Sequence, residues 1–177
     1  MIQIDKTDYL YKTLQKLGVD EQELEQQYIH FAESGVSTVK DLNNNLQSSL
    51  GMDYVGEFDE NLFEEVLDYY KDLKKSRIPA KNKVVGLLKE YKNNPQSNLR
   101  EDIINSQLKE VLLIACAYKL RHDNLNLNDL VQVCNMGLMI AVEKFKVDAQ
   151  LSFEIYLNYW ILDTINKEFT LGEQKNG

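Results

Sequence analysis

Residues 129–145, running from Asp129 to Phe145, read as one helix that is apolar on two sides, and this limits the fold more than any other stretch. Leu130, Cys134, Leu138, Ala141, Val142 and Phe145 recur at spacings of three and four, which makes a continuous core stripe. Val133, Met136 and Ile140 form a second, narrower stripe, bordered by Asp129, Gln132, Asn135 and Met139. A helix that buries one side in its own domain ordinarily leaves the opposite side charged. This one carries few charges, so its second side calls for a cover. The cover is either a neighbouring helix of the same chain or a separate protein.

The remainder of the chain is patterned for helices too. With only 8 Gly and 2 Pro in 177 residues, breaks are few and helices can run long. Leu10, Leu14 and Leu17 stop at Gly18, which suits a left-handed residue closing a helix. Asp20 with Glu23 resembles a capping pair ahead of Leu24, Tyr28, Phe31 and Ala32, before Gly35. Thr38 with Asp41 opens the next helix, which carries Val39, Leu42, Leu46 and Leu50 and ends at Gly51. Asp59 is placed to cap a helix bearing Phe63, Val66, Leu67, Tyr70 and Leu73. Pro79 disfavours helix in the residue before it and sets the expected domain boundary, with units 1–77 and 78–177.

Beyond it, the spacing predicts a short helix over 81–93, with Val84, Val85, Leu88 and Tyr91 apolar. Asn98 with Glu101 is placed to cap a long helix with Ile104, Leu108, Val111, Leu112, Ala115 and Tyr118 on one face. Asn128 is placed to cap the central helix, and Ser152 the last one. No strand pattern of alternating residues stands out. The expected class is all-α.

Charge divides the chain at the same place. Residues 1–70 hold 15 Asp and Glu against 4 Lys, while residues 71–177 hold 13 Asp and Glu against 16 Lys and Arg. An acidic helical N-terminal unit repels nucleic acid, so the two halves are expected to meet different partners.

Several function classes are excluded on composition and motif. Cys116 and Cys134 fall in helical apolar patterns and read as buried, reduced thiols. The two histidines, His30 and His122, have no Cys or His beside them at ligand spacing, so no metal site is expected. No Gly-rich phosphate loop and no nucleophile with a nearby histidine is present, so no enzyme and no cofactor are expected. The N-terminus lacks the charged start and apolar run of a signal peptide, and no apolar stretch reaches the ~18 residues that span a bilayer. A cytoplasmic location follows as the expectation.

The central helix also carries a resemblance. The pattern Asp-Leu-x-Gln-x-x-Asn-x-Gly-Leu-Met-x-Ala-Val-Glu-Lys-Phe, residues 129–145, is similar to the helix by which bacterial sigma factors of the sigma-70 family grip core RNA polymerase. It continues without a gap into Phe153, Tyr156, Tyr159, Trp160 and Ile161, which resemble that family's aromatic promoter-melting helix. Residues 103–118 resemble the helix that opens region 2. The likeness extends over about residues 85–170 and implies a region 2 helical bundle of about four helices. It implies contact of Asp129, Gln132, Asn135 and Met139 with the largest polymerase subunit. It implies that Tyr156, Tyr159 and Trp160 stack on single-stranded promoter DNA, with Lys144, Lys146 and Lys167 near phosphates. The sequence departs from the family at Leu162, where arginine is usual, and at Asp163, where a glutamine reads a base. The alternative is a regulator that occupies the sigma site, or binds another transcription regulator, without touching DNA. The sequence ends just after this helix, which leaves three versions: half of a split sigma factor, with a second protein supplying the C-terminal helix-turn-helix region, a piece of a longer sigma factor, or a divergent relative that keeps the grip on polymerase without DNA.

Overall fold

The computed structural model of the chain describes residues 2–52, 64–75, 83–95 and 98–176, the side chains of 74, 75 and 170–176 aside. Among them are eight α-helices and no strand: α1 (Tyr9–Lys16), α2 (Glu21–Glu33), α3 (Val39–Ser49), α4 (Leu67–Lys75), α5 (Val84–Asn93), α6 (Leu99–Arg121), α7 (Leu127–Lys144) and α8 (Phe153–Asn176). A 3-10 turn, Val147–Ala149, joins the last two. The expected caps at Asp59 and the boundary at 77/78 lie outside the described residues.

Local chemistry sets most of the ends. Thr38 and Asp41 form the reciprocal capping box expected of them: the Thr38 hydroxyl accepts from the Asp41 N–H at 3.1 Å and the Asp41 carboxylate accepts from the Thr38 N–H at 3.2 Å. Gly18 closes α1 at φ +81°, and the N–H of Val19 reaches back to the Leu14 carbonyl at 3.2 Å. A β-carbon at that φ is strained, which is why glycine stands there. Three caps differ from expectation. Asn126, not Asn128, caps α7, accepting from the Asp129 N–H at 3.0 Å, so the helix starts earlier. Asn98 stands at the N-cap of α6 without a side-chain bond. Asp20 stands at the N-cap of α2 likewise, its carboxylate being taken by Lys144 at 3.2 Å.

The helices α6, α7 and α8 pack in series, with α7 in the middle. The first stripe of α7 is buried throughout, Leu130, Cys134, Leu138, Ala141, Val142 and Phe145 included. At the edge of the same stripe, one turn from Cys134 and Ala141, Gly137 lets α8 approach closely: a β-carbon there would stand 2.6 Å from the Ile161 Cα. Burial pushes the Cys134 thiol up to about 12 and Cys116 up to about 11; both are free thiols. In α6 the inward face is shifted from expectation, with Ile103 fully buried and Ile104 and Leu108 at its edge. Val85 and Leu67, read as apolar face positions, are exposed.

The N-terminal helices do not stand apart from this bundle. α3 packs on α8, α4 on α6, and α1 with α2 close over the α7–α8 corner. Leu10, Leu14, Leu17, Leu24, Tyr28 and Phe31 join the same buried cluster as the α6–α8 residues. Among the described residues no helix is long and apolar enough to cross a membrane.

Candidate functional site

Two surfaces carry the sequence-predicted residues, and the structure treats them oppositely. The first is the outer face of α7. Asp129 and Gln132 are exposed, and Met136 and Met139 are 41% and 38% exposed. Spacings of three and four put all four on one face. Asn135 lies half-buried beside them, and its Oδ1 has no hydrogen-bond partner. Val133 is buried and Ile140 half-buried, so only the rim of the second stripe is covered by the chain itself. The face is an apolar strip of two flexible thioethers flanked by the exposed Gln132 amide and Asp129 carboxylate. It resembles a protein-contact surface in kind, with adaptable apolar area at the centre and polar groups at the edge. At the C-terminal end of α7, Glu143 accepts from Arg100 at 2.7 Å and from Tyr91 at 3.2 Å, which ties α5 and α6 to the helix. Those bonds, led by that of Arg100, hold the Glu143 carboxyl below its ordinary range.

The second surface is the aromatic set on α8, and it is closed. Tyr156, Tyr159 and Trp160 are 0%, 2% and 4% exposed. The Trp160 indole N–H donates to the Leu17 carbonyl at 3.0 Å, and the Tyr156 hydroxyl donates to the Lys16 carbonyl. Those carbonyls sit at the C-terminal end of α1, where backbone acceptors have no partner within the helix. Phe31 of α2 lies against Tyr159, ring centroids 6.3 Å apart, and Tyr159 meets Trp160 edge to face at 5.0 Å. The rings that the sequence resemblance would present to a DNA base therefore face α1 and α2. The physical reason is composition: from Phe153 to Ile165 nearly every residue of α8 is buried, and a helix apolar all round needs cover on every side.

The neighbouring cations are occupied as well. Lys144 donates to the Gly18 carbonyl at 2.8 Å and to Asp20 at 3.2 Å, and its ammonium lies 4.9 Å from the centre of the Trp160 ring. Lys167 bridges Glu23 of α2 and Asp163 of α8, both at 3.0 Å. Burial pushes the Asp163 carboxyl up, and the Lys167 bond only partly offsets this. Burial together with the charges of Asp163, Glu23 and Asp20 pushes the Tyr159 hydroxyl far up, and its oxygen has no hydrogen-bond partner. Lys146, the third expected cation, is exposed and separate from this cluster.

Sequence reasoning passed over one further feature. A cavity of about 170 Å³ lies among α5, α6 and α8, lined by Val84, Gln107, Glu110, Phe153, Glu154 and Asn158 with others. Gln107 and Asn158 are 3% and 1% exposed, and the Asn158 amide nitrogen has no hydrogen-bond partner. Buried amides beside an aromatic wall can hold a small flat polar group, and the two carboxylates disfavour an anion. The available signal was Gln107 itself, a polar residue in the same i, i+4 row as buried Ile103 and Val111.

The order of α6, α7 and α8, the close crossing at Gly137 and the aromatic last helix define a sigma-type helical bundle. Comparison with known proteins agrees: residues 110–170 match the family model of sigma-70 region 2, so this chain contains a region 2 segment of the sigma-70 family. The chain is 43% identical over 68 residues to the chloroplastic RNA polymerase sigma factor sigF of Arabidopsis thaliana, covering 38% of this chain and 12% of that protein. It is 30% identical over 135 residues to RNA polymerase sigma factor SigA of Clostridium acetobutylicum, covering 67% of this chain and 35% of that protein. It is 35% identical over 77 residues to RNA polymerase sigma factor RpoS of Coxiella burnetii, covering 44% of this chain and 21% of that protein. The chain thus spans little more than a third of the length of these relatives at most. No solved structure matches significantly.

Proposed function

We propose that this chain is a sigma-factor-like transcription initiation protein that docks on core RNA polymerase through the outer face of α7. The observation that carries this reading is the exposure of Met136 and Met139, two apolar side chains one turn apart on the outer face of α7, with half-buried Asn135 beside them. Asp129 and Gln132 complete the contact. The relatives' names support the same reading, since each is an RNA polymerase sigma factor.

Binding of the purified chain to core RNA polymerase tests it, beside a variant carrying Asp129→Arg and Asn135→Ala. Both side chains lie off the fully buried stripe, so the variant keeps its helical circular dichroism. Binding by the native chain and at least tenfold weaker binding by the variant is the expected result. Equal binding by both, or none by either, rejects the docking face.

The closed aromatic set favours a second form of this function, in which the chain occupies polymerase without stacking a base on Tyr156, Tyr159 or Trp160. In that form α1 and α2 are a permanent cover. In the other form they leave, and the three rings with Lys144 and Lys167 become available to melted promoter DNA. A single-stranded promoter oligonucleotide quenches Trp160 emission only in the form in which α1 and α2 leave, because stacking needs a free ring face.

A further inference from the structure

We propose that Asp163 makes the seam between α2 and α8 a proton-operated latch, which closes more tightly over the aromatic set when that carboxylate takes up a proton. The seam is held by a small charged network drawn from three helices. Lys167 of α8 is shared by Glu23 of α2 and Asp163 of α8, both at 3.0 Å. Lys144 of α7 takes Asp20, at the N-cap of α2, at 3.2 Å. Three carboxylates thus meet two ammoniums. The buried Tyr159 hydroxyl, under the charges of all three carboxylates, brings no hydrogen bond to any of them.

The surplus negative charge falls on Asp163. The side chains of Asp20 and Glu23 are 67% and 34% exposed and keep water around their charge, whereas that of Asp163 is 9% exposed. When carboxylates share one site, the least hydrated of them holds a proton most readily. A proton on Asp163 leaves two ammoniums facing two carboxylates and releases Lys167 wholly to Glu23. Burial pushes the Asp163 carboxyl up in this closed arrangement, with the Lys167 bond offsetting part of it. Once α2 lifts away, the carboxyl is hydrated and returns towards the ordinary aspartate range. The closed seam therefore binds the proton more tightly than the open one. Opening is hardest in acid, becomes easier as the pH rises from the ordinary aspartate range to the raised one, and changes no further above it. Tyr156, Tyr159 and Trp160 are accordingly better covered in acid. The latch bears on the form of the function in which α1 and α2 leave, and it involves none of the α7 docking residues.

The test is urea titration of the full chain, without polymerase, followed by the emission of Trp160, its single tryptophan, between about pH 4 and pH 8. Native protein and Asp163→Asn are expected to have the same midpoint at the acid end. As the pH rises the two should separate, the native midpoint being the lower. Within the window the native opening constant rises by up to about tenfold per pH unit relative to that of the variant. Glu23→Gln gives Lys167 to Asp163 alone, so Asp163 ionises more readily and the fall of the native midpoint shrinks. Glu23 lies partly at the surface, so this variant tests the latch independently of the buried substitution. His30→Gln, on the same helix, is expected to leave the pH dependence unchanged, histidine being the other side-chain type that changes charge in this range. Curves that coincide at every pH, a constant offset between them, or a native midpoint above that of Asp163→Asn overturns the proposal. So does a pH dependence that Glu23→Gln leaves intact or that His30→Gln abolishes. Core polymerase binding by Asp163→Asn is expected to match the native chain, so failure of the latch and failure of the docking face give different results.

Discussion

At the scale of single residues, Gly137 decides how α7 and α8 cross. An added β-carbon would stand 2.6 Å from the Ile161 Cα, 2.9 Å from the Trp160 carbonyl oxygen and 3.0 Å from the Ile161 N. All three are backbone atoms, so no side chain can rotate to make room. Gly137→Ala gains helix propensity of about 0.8–1.0 kcal/mol, but overpacking against backbone costs about 1–3 kcal/mol or more. The expected outcome is net destabilisation of about 1–2 kcal/mol, read as a lower urea midpoint; a midpoint at or above native would mean that the helices can separate freely. This glycine was visible in the sequence, inside the resemblance pattern, but its reason was not. Only the position of Ile161 and Trp160 across the crossing supplies it. The same holds for Asp20. Sequence logic assigned it to a helix cap, and Lys144, 124 positions away, claims its carboxylate instead. Local rules identify a cap residue, but they cannot weigh a distant partner against the cap.

At the scale of elements, the contact between α1–α2 and α8 decides what the aromatic set can do. Burying a side chain such as Leu17 or Phe31 contributes about 1.5–3 kcal/mol, and an exposed ion pair about 0–1 kcal/mol. Lys144–Asp20 and Lys167–Glu23 have side chains 33–67% and 34–43% exposed, so both fall in the weaker class. The seam is therefore an apolar contact with an ionic rim. Replacing both cations, Lys144→Glu and Lys167→Glu, sets like charges against Asp20, Glu23 and Asp163. The chain is expected to stay folded, with α1 and α2 opening more often. Iodide should then quench Trp160 measurably in the variant and hardly at all in the native protein. Equal quenching of both would mean that apolar burial alone holds the seam. The cover over α8 was legible in principle, because from Phe153 to Ile165 the helix has almost no polar face. What the pattern of one helix cannot give is the identity of its cover. Here the C-terminal end of α1 at Lys16 and Leu17, Phe31 of α2, and α3 supply it, from a segment set apart by its acidity.

At the scale of the whole molecule, charge and core give different partitions of the chain. Acidic and near-neutral halves suggested two units joined near residue 77, each with its own partner. The buried cluster instead runs from Leu10 through Leu46 and Leu88 to Ile165 without a break between the halves. Surface charge reports on what a face attracts or repels, while cooperativity follows the continuity of buried apolar contacts. The expected outcome is one unfolding transition in urea. Far-UV circular dichroism, which follows the helices as a set, and Trp160 emission, which follows the seam, should superimpose. Their order discriminates if they do not. Trp160 shifting red while most helical signal remains would mean that α1 and α2 lift away as a separable cover, and the aromatic face could then be offered to DNA at modest cost. Coincident curves would mean that the N-terminal helices are part of the same folding unit. Uncovering the rings would then require unfolding much of the protein, which leaves the α7 face as the candidate surface open in the native state.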